Sequence, residues 1–502
     1  MPLLSLRKLF GSVVDSDQGG SHLKMWTIHD KMGFSPGHSV ECKNRIEVRD
    51  PQDDSLIATV PAVTAEGMQK AVDRAAEGAK IAAETPVHQR ISVLYGTADR
   101  IASRREEFAT LIAREGSKTI REARKEVDRA VETIRISGEE ARRIQGETIS
   151  FDQMPGGENR LGGFYRFPVG LVGAITPFND PLNLVAHKVG PAVASGNAVI
   201  VKPASVTPLS ALKLWEVMQE AGLPASVFSV VPGRGTEVGD ILVQHRSVRM
   251  LSFTGGVDAG REIVRKAGVK KVSMELGSNC PAIVLDDADL SSAVESCVSG
   301  AFWAAGQNCL KVQRIYIEDS CFPDFLEQFV FCAQQYRVGN KLSEETDMGP
   351  LITRREAERV DRWVKEAIKE GATLCCGGKL DGAYYTPTVL TDVPEGSRLE
   401  REEVFGPVVC LYPVRDAEEA VQRANRTDFG LQAGVFTRDL DKAFNLVQRL
   451  DVGGVMVNDS SDYRIDAMPF GGVKQSGLGR EGVRFAIGEM TETKVVCFRL
   501  GS

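Results

Sequence analysis

Residues 171–205 read LVGAITPFNDPLNLVAHKVGPAVASGNAVIVKPAS. Two apolar, β-branched runs of strand length, LVGAITPF (171–178) and NAVIVKPA (197–204), stand at its ends. The segment that follows, TPLSALKLWEVMQEAGLP (207–224), reads as a helix, with Thr207 as N-cap and Pro208 in the first turn. Leu209, Leu212, Trp215 and Met218 share one face, and Gly222 and Pro224 mark the exit. A third apolar run, SVFSVV (226–231), and a fourth, VRMLSFTGG (248–256), come next, before a helix opening near Asp258. Strands alternating with helices at this spacing predict parallel βαβ units and an α/β fold of Rossmann type. Open sheets of this kind take ligands at the carboxyl ends of their strands, which is where Lys202 stands.

Upstream, residues 65–146 carry apolar positions at helical spacing, as in EVDRAVETIRISGEEARRI (126–144). Downstream of Glu275 a second α/β unit is expected, with strands at AIVLDD (282–287) and VQRIYIED (312–319) and further alternation to about residue 458. A chain of 502 residues needs at least two cores, since single cores seldom grow past about 250–300 residues. ETISFDQMPGGENRLGGFYRFPVG (147–170) predicts a hairpin turning at Gly-Gly-Glu-Asn, and EMTETKVVCFRL (489–500) a last strand. Set apart from the main sheets, both are candidates for pairing with another subunit, because exposed strand edges need covering.

The bulk numbers exclude several classes of function. With 42% hydrophobic and 26% charged residues the chain is not a disordered one, and a net charge of −7 with mixed signs throughout offers no nucleic-acid surface. No apolar run approaches the roughly 18 residues needed to span a bilayer. Ten cysteines are scattered without a C-x-x-C, and six histidines do not cluster, so reduced thiols, a cytoplasmic setting and no metal are expected. The opening MPLLSLRKLFGSVV (1–14), basic and free of acids, has the character of a weak transit-like segment.

Several residues have the chemistry of a nucleotide-dependent site, each with a plain alternative. FTGGVDAG (253–260) leads from a strand through Gly255 and Gly256 into a helix, so that backbone N–H groups can face a pyrophosphate, or it is a simple turn. GRGTEVG (233–239), with Gly235, is similarly ambiguous. Lys202 suits ribose hydroxyls or a phosphate, and Glu275 in MELGS (274–278) is either a general base or a helix cap. Cys309 in GQNCLKVQR (306–314) is a nucleophile or one more buried thiol, a common fate of free cysteine.

Six segments taken together go further. TPFNDPLNLVAHKVGPAVASGNAVIVKPAS (176–205), LSFTGG (251–256), MELGSNCPAIV (274–284), GQNC (306–309), EEVFGPVV (402–409) and MPFGGVKQSGLGREG (468–482) occur in the order found in the aldehyde dehydrogenase superfamily. The chain resembles that superfamily from about residue 25 to 500. The resemblance implies an NAD(P)-binding domain of residues 25–146 and 167–283, a catalytic domain of 284–478, and an oligomerisation element of 147–166 and 479–502. It implies oxidation of an aldehyde to its acid with NAD or NADP, in a homodimer or homotetramer. Cys309 falls at the nucleophile position, Asn179 at the oxyanion donor and Glu275 at the general base, with Lys188 and Glu481 at a proton-relay pair. Thr176, Pro177, Phe178, Lys202, Ser205, Gly235, Phe253, Thr254, Gly255, Gly256 and Leu276 fall at cofactor-binding positions, as do Glu403 and Phe405 for the nicotinamide ribose and ring.

Departures from the family pattern bear on specificity. Strongly NAD-preferring members carry glutamate where this chain has Ser205; a carboxylate there repels a 2′-phosphate and serine does not, so either cofactor is compatible. Ser278 replaces the usual glycine. Asn308 stands where acylating, CoA-dependent semialdehyde dehydrogenases carry arginine, which counts against that chemistry; it and a catalytically silent structural role are the alternatives. His187 takes a position that is basic in lactaldehyde dehydrogenases, or is a histidine packed on its helix. Arg464 lies in the loop closing the substrate tunnel, and Arg129 is a third cation or a solvated charge. Cations around one mouth favour a small polar aldehyde that is anionic or hydroxylated.

Overall fold

The computed structural model describes residues 42–501, and the transit-like opening lies outside them. Two sheets organise the molecule. In the first, five parallel strands run in the order Lys271–Glu275, Val248–Thr254, Leu171–Ile175, Ala198–Lys202, Phe228–Val230. Every residue of Ala198–Lys202 is buried, which accounts for a continuous apolar run in place of alternation. Leu171–Ile175 comes first in the chain and lies mid-sheet, so the strand order reverses beside it, and the carboxyl ends there form the crevice expected to take a ligand. Short Gly477–Leu478 closes one edge antiparallel, with Gly477 opposite Glu275.

The second sheet has seven strands in the order Thr373–Cys376, Thr388–Thr391, Val408–Val414, Val312–Glu318, Cys280–Val284, Gln432–Phe436, Gly454–Val457, parallel but for the first. The chain crosses between the two sheets between Glu275 and Cys280. Buried Cys280 and Pro281 already pair with the neighbouring strand Val312–Glu318. Each sheet has its own apolar clusters.

Arg160–Pro168 pairs with Glu147–Thr148 on one side and with Thr491–Arg499 along its whole length on the other. Leu161, Tyr165, Phe167, Val495 and Phe498 of this three-stranded sheet are exposed. The helical region resolves into Ala65–Glu84, Val87–Ser103, Arg105–Glu115 and Ile120–Ala141. Helix Leu209–Glu220 forms where the periodicity predicts it, but Thr207 is not its cap: the Thr207 hydroxyl has no hydrogen-bond partner. Glu115, from a helix far away in sequence, accepts from the N–H groups of Leu209 (2.7 Å) and Ser210 (2.8 Å) and from the Ser210 hydroxyl instead. A carboxylate delivered by tertiary packing supplies what the local residue was expected to give.

Candidate active site

Helix Ile120–Ala141 sets up the site from one face. Thr119 and Glu122 form a capping box at its start. Glu122 also accepts the N–H of Ala304 at 2.8 Å, just ahead of Cys309. One turn on, Glu126 accepts the N–H groups of Leu182 (2.8 Å) and Asn183 (3.1 Å), which anchors the loop bearing Asn179 at the start of helix Asn183–Ala194. Lys118 donates to Glu126 at 2.8 Å and to Asp180. A further turn on, Arg129 pairs with Asp466 at 2.7 Å.

The approach to Cys309 is bent. Ala304, Ala305 and Gly306 all have positive φ (51°, 55° and 68°), and a Cβ on Gly306 would lie 2.2 Å from the Gly406 carbonyl oxygen. Two non-glycine residues in the left-handed region are uncommon, and here the Glu122 contact holds them in place. The bend presents Cys309 to a cavity of about 340 Å³, whose lining includes Asn179, Arg129, Arg464, Lys118, Lys125 and Tyr463. Burial pushes the Cys309 thiol above its ordinary value, and the Arg464 charge is the main opposing influence. The Cys309 N–H makes no hydrogen bond among the described residues.

The carboxyl edge of the first sheet gathers the expected cofactor residues. Thr176 to Phe178 follow one strand, Lys202 to Ser205 the next, and Thr254 to Gly256 another, with Gly256 preceding helix Val257–Ala267 without any side-chain cap. The hydroxyls of Thr176 and Thr254 are buried without partners, and added Cβ atoms at Gly235 and Gly256 would meet open space. Gly255 sits over the Phe253 ring, 2.6 Å from a built Cβ, and Gly260 over Leu276 at 2.5 Å, so Phe253 and Leu276 shape the turn from beneath. Lys202 Nζ donates only to the Pro203 carbonyl, and burial lowers it to about 8. Ser205 donates to the Gly233 carbonyl at 3.0 Å. Unpartnered donors, open glycines and an uncapped helix start fit a dinucleotide.

Facing this edge, Glu403 accepts the Ser278 N–H at 2.9 Å, and burial raises it to about 7. Phe405, at φ +43°, meets Phe178 edge to face with centroids 5.8 Å apart.

Glu275 is 3% exposed, and neither of its carboxylate oxygens has a partner. Burial first and the neighbouring Glu481 second raise its proton affinity well above the ordinary carboxylate range. Glu481, equally buried, would be raised by burial alone, but Lys188, His187 and Arg464 outweigh that and keep it ionised. Lys188 Nζ lies 2.9 Å from Glu481 Oε1 and 3.0 Å from the Ser252 hydroxyl, and Arg464 Nη2 donates to Glu481 Oε2 at 3.2 Å. Sequence alone would leave Lys188 on a helix surface and Glu481 in solvent; they are a buried pair.

The three substrate candidates separate. Arg464 and Arg129 line the cavity, whereas His187 is absent from its lining. The His187 ring is 1% exposed, and its Nε2 faces Asp466 Oδ1 at 2.8 Å. Burial, then Arg464, lowers its proton affinity. Sequence reasoning missed Asp466, which binds Arg129, His187 and Asn183 at once, and Phe470, over whose ring the Arg464 guanidinium lies at 3.7 Å. No periodicity marks the loop 459–470 that carries them. Lys118, Lys125 and Trp303 were also missed as lining residues.

A reversed-order parallel sheet, a thiol that follows a strained bend and lines a cavity, and a buried carboxyl group without partners near it mark a nucleotide-dependent α/β oxidoreductase. The model of the aldehyde dehydrogenase family matches residues 39–496, and the chain belongs to that family: it is an NAD(P)-dependent aldehyde dehydrogenase. It is 50% identical to aspartate-semialdehyde dehydrogenase 1 of Pseudomonas canavaninivorans over 91% of this chain and 97% of that one. Aldehyde dehydrogenase 21 of Physcomitrella patens, solved with the reaction product succinate, superposes with a TM-score of 0.90 at 39% identity, over 93% of this chain and 98% of that one. Glyceraldehyde-3-phosphate dehydrogenase of Methanocaldococcus jannaschii, solved with NADP, gives 0.88 at 39% identity, over 91% and 100%. No helix among the described residues is long and apolar enough to cross a membrane.

Proposed function

We propose that the chain oxidises a small aldehyde bearing an anionic group, or a hydroxyl in its place, to the carboxylic acid through a covalent adduct on Cys309, and releases the acid by hydrolysis. The observation that carries the substrate class is the lining around Cys309, in which Lys118, Lys125, Arg129 and Arg464 outnumber Asp180, Asp459 and Asp462. Lys118 and Arg129 are already matched by Glu126, Asp180 and Asp466, whereas Arg464 keeps its buried Nε without a partner. The names of the relatives support the same class, being those of enzymes of a semialdehyde carboxylate and a sugar phosphate, and of one that binds succinate.

The Cys309 sulfur adds to the carbonyl carbon, making it tetrahedral. The Asn179 amide and the Cys309 N–H receive the developing oxyanion, a contribution of about 3–4 kcal/mol per donor in comparable sites. Bound NAD or NADP supplies the acceptor for the hydride that then leaves this carbon. Thr176, Pro177, Phe178, Lys202, Ser205, Gly235, Thr254, Gly255 and Gly256 would hold the cofactor, with Phe253 and Leu276 beneath the turn, and Glu403 and Phe405 would hold its nicotinamide ribose and ring. The thioester left on Cys309 is attacked by water, whose proton Glu275 accepts; Glu481 and Lys188 carry that proton onward.

The exposed sheet around Arg160–Pro168 supports assembly as a homodimer or homotetramer, and nine free thiols among the described residues support a cytoplasmic setting. The test is oxidation of short aldehydes, charged and neutral, with NAD and NADP in parallel. Free acid equal to reduced cofactor without added CoA, with preference for carboxylate or phosphate aldehydes, is expected. A requirement for CoA, or preference for long apolar aldehydes, would overturn it.

A further inference from the structure

Of the cations that line the cavity with Cys309, three are spent within the protein. Lys118 is buried on Glu126 and Asp180, and Arg129 is paired with Asp466. Arg464 is 7% exposed and donates through Nη2 to Glu481, and its Nε is buried. Lys125 differs from all three. It is exposed, and among the described residues it makes neither a hydrogen bond nor an ion pair; its ammonium lies 4.7 Å from the centre of the Trp303 ring. The acids of the lining are engaged elsewhere: Asp180 on Lys118, Asp459 on the Ser296 hydroxyl (2.6 Å) and the Ser460 N–H (2.8 Å), and Asp462 on the Ser460 hydroxyl. Asp462 feels the Lys125 charge without forming an ion pair with it.

Lys125 also stands at a junction. With Ser299 and Trp303 it lines a second cavity, of about 510 Å³, whose wall continues along Gln335 and Tyr336. The side chains of Ser299, Trp303, Gln335 and Tyr336 all carry hydrogen-bond donors, and none of them makes a hydrogen bond among the described residues. Lys125 lies one turn before Arg129 on helix Ile120–Ala141, about 6 Å along its axis, and the second cavity follows the same helix back to Thr119. An anion held by Lys125 therefore sits toward the second cavity, a turn away from where Arg129 would hold it. Binding there breaks no ion pair, whereas an anion on Lys118, Arg129 or Arg464 competes with a carboxylate of the protein itself.

We propose that Lys125 is the residue that selects an anionic substrate: its ammonium, held over Trp303 where the two cavities meet, takes the carboxylate or phosphate at the far end of the aldehyde. This rests on the substrate class proposed above. The face of the Trp303 ring keeps the ammonium at the cavity edge, and Ser299 offers a hydroxyl donor from the same junction. Arg129 and Arg464 hold the walls, through Asp466 and Glu481, and set the shape of the cavity. Because Lys125 binds the end of the substrate that does not react, its contribution is alike in the ground and transition states and shows in KM.

The test compares kcat/KM for succinate semialdehyde with that for its neutral methyl ester, methyl 4-oxobutanoate. The wild-type enzyme should prefer the carboxylate. In Lys125→Met this preference should fall about tenfold, the scale of one charge-assisted hydrogen bond, with the loss in KM for the carboxylate, and Lys125→Arg should restore it. Salt gives a second measurement on the unaltered protein: an exposed lysine is screened, so the preference should narrow as salt rises, whereas one carried by buried Arg464 would hold. A preference that survives Lys125→Met, or that salt does not narrow, or a loss confined to kcat, overturns the assignment and leaves the anionic class standing. No preference in the wild-type enzyme overturns the substrate class and the assignment with it.

Discussion

Replacing Lys188 by methionine and Glu481 by glutamine, singly and together, tests whether the buried pair is a pair or a triad. The two side chains are 1% and 3% exposed with 2.9 Å between charged atoms, and Arg464 reaches the other Glu481 oxygen at 3.2 Å. At an effective dielectric of about 20 the two attractions are alike, about 6 and 5 kcal/mol before desolvation is subtracted. Lys188→Met leaves Glu481 with one cation still in place. Glu481→Gln leaves two cations facing no acid. Stripping one partner from a buried pair costs about 3–5 kcal/mol, so Lys188→Met belongs at the lower end and Glu481→Gln at the upper. The double variant should cost less than the sum, because removing both charges leaves fewer buried groups unmatched. Folding holds the Glu481 carboxyl below its ordinary value, so its contribution is full above the unfolded value of about 4.3 and fades as pH falls through the lower folded value. Urea unfolding followed by tryptophan fluorescence at pH 7 and pH 4 measures all of this. Equal losses for the two single variants, or a double variant equal to their sum, would refute the triad.

Glu275→Gln should give a burst of one reduced cofactor per subunit and then a steady rate lower by about 10²–10⁴, with the thioester accumulating on Cys309. Because burial and Glu481 raise the Glu275 carboxyl, the base form grows as pH climbs through that raised value; wild-type acid release should rise with pH there, and this limb should vanish in the variant. Ser205→Glu should raise the KM for NADP by about tenfold or more and leave that for NAD nearly unchanged, since a charge pair at about 5 Å and a dielectric of about 20 is worth about 3 kcal/mol before screening. Thr207→Ala should change the urea midpoint by no more than about 0.5 kcal/mol allows, because its hydroxyl has no partner. Glu115→Ala strands two buried N–H groups and the Ser210 hydroxyl, at about 1–3 kcal/mol each, and should lower the midpoint markedly.

What the sequence makes legible follows from where each interaction is made. Strands such as Ala198–Lys202 are buried on both faces, so composition alone betrays them, and helices such as Leu209–Glu220 repeat their apolar positions every turn. Cys309, Glu275 and Asn179 are singled out by short motifs, each contiguous in the chain, through the resemblance they carry. Glu115 was not, because the N–H groups it serves are 94 and 95 residues away, and nothing near Thr207 signals that its own hydroxyl is idle. Asp466 was invisible for the same reason: its partners Arg129, Asn183 and His187 lie 337, 283 and 279 residues off, on two helices. For His187 the sequence left open a substrate contact and a histidine packed on its helix; the ring is buried with Nε2 on Asp466.

The same long-range logic explains why helix Ile120–Ala141, which carries none of the reacting atoms, governs the geometry of the site. Glu122, Glu126 and Arg129 stand at i, i+4 and i+7, one face of a helix. From that face they grip Ala304 before the thiol, Leu182 and Asn183 behind the Asn179 loop, and Asp466 beside Arg464. A loop held by a carboxylate on two of its own N–H groups has little freedom to drift, and the spacing between the three loops becomes the rise of a helix, about 1.5 Å per residue. Asn179, Cys309 and Arg464 come from three segments more than a hundred residues apart. They line one cavity because a single helix ties their segments together.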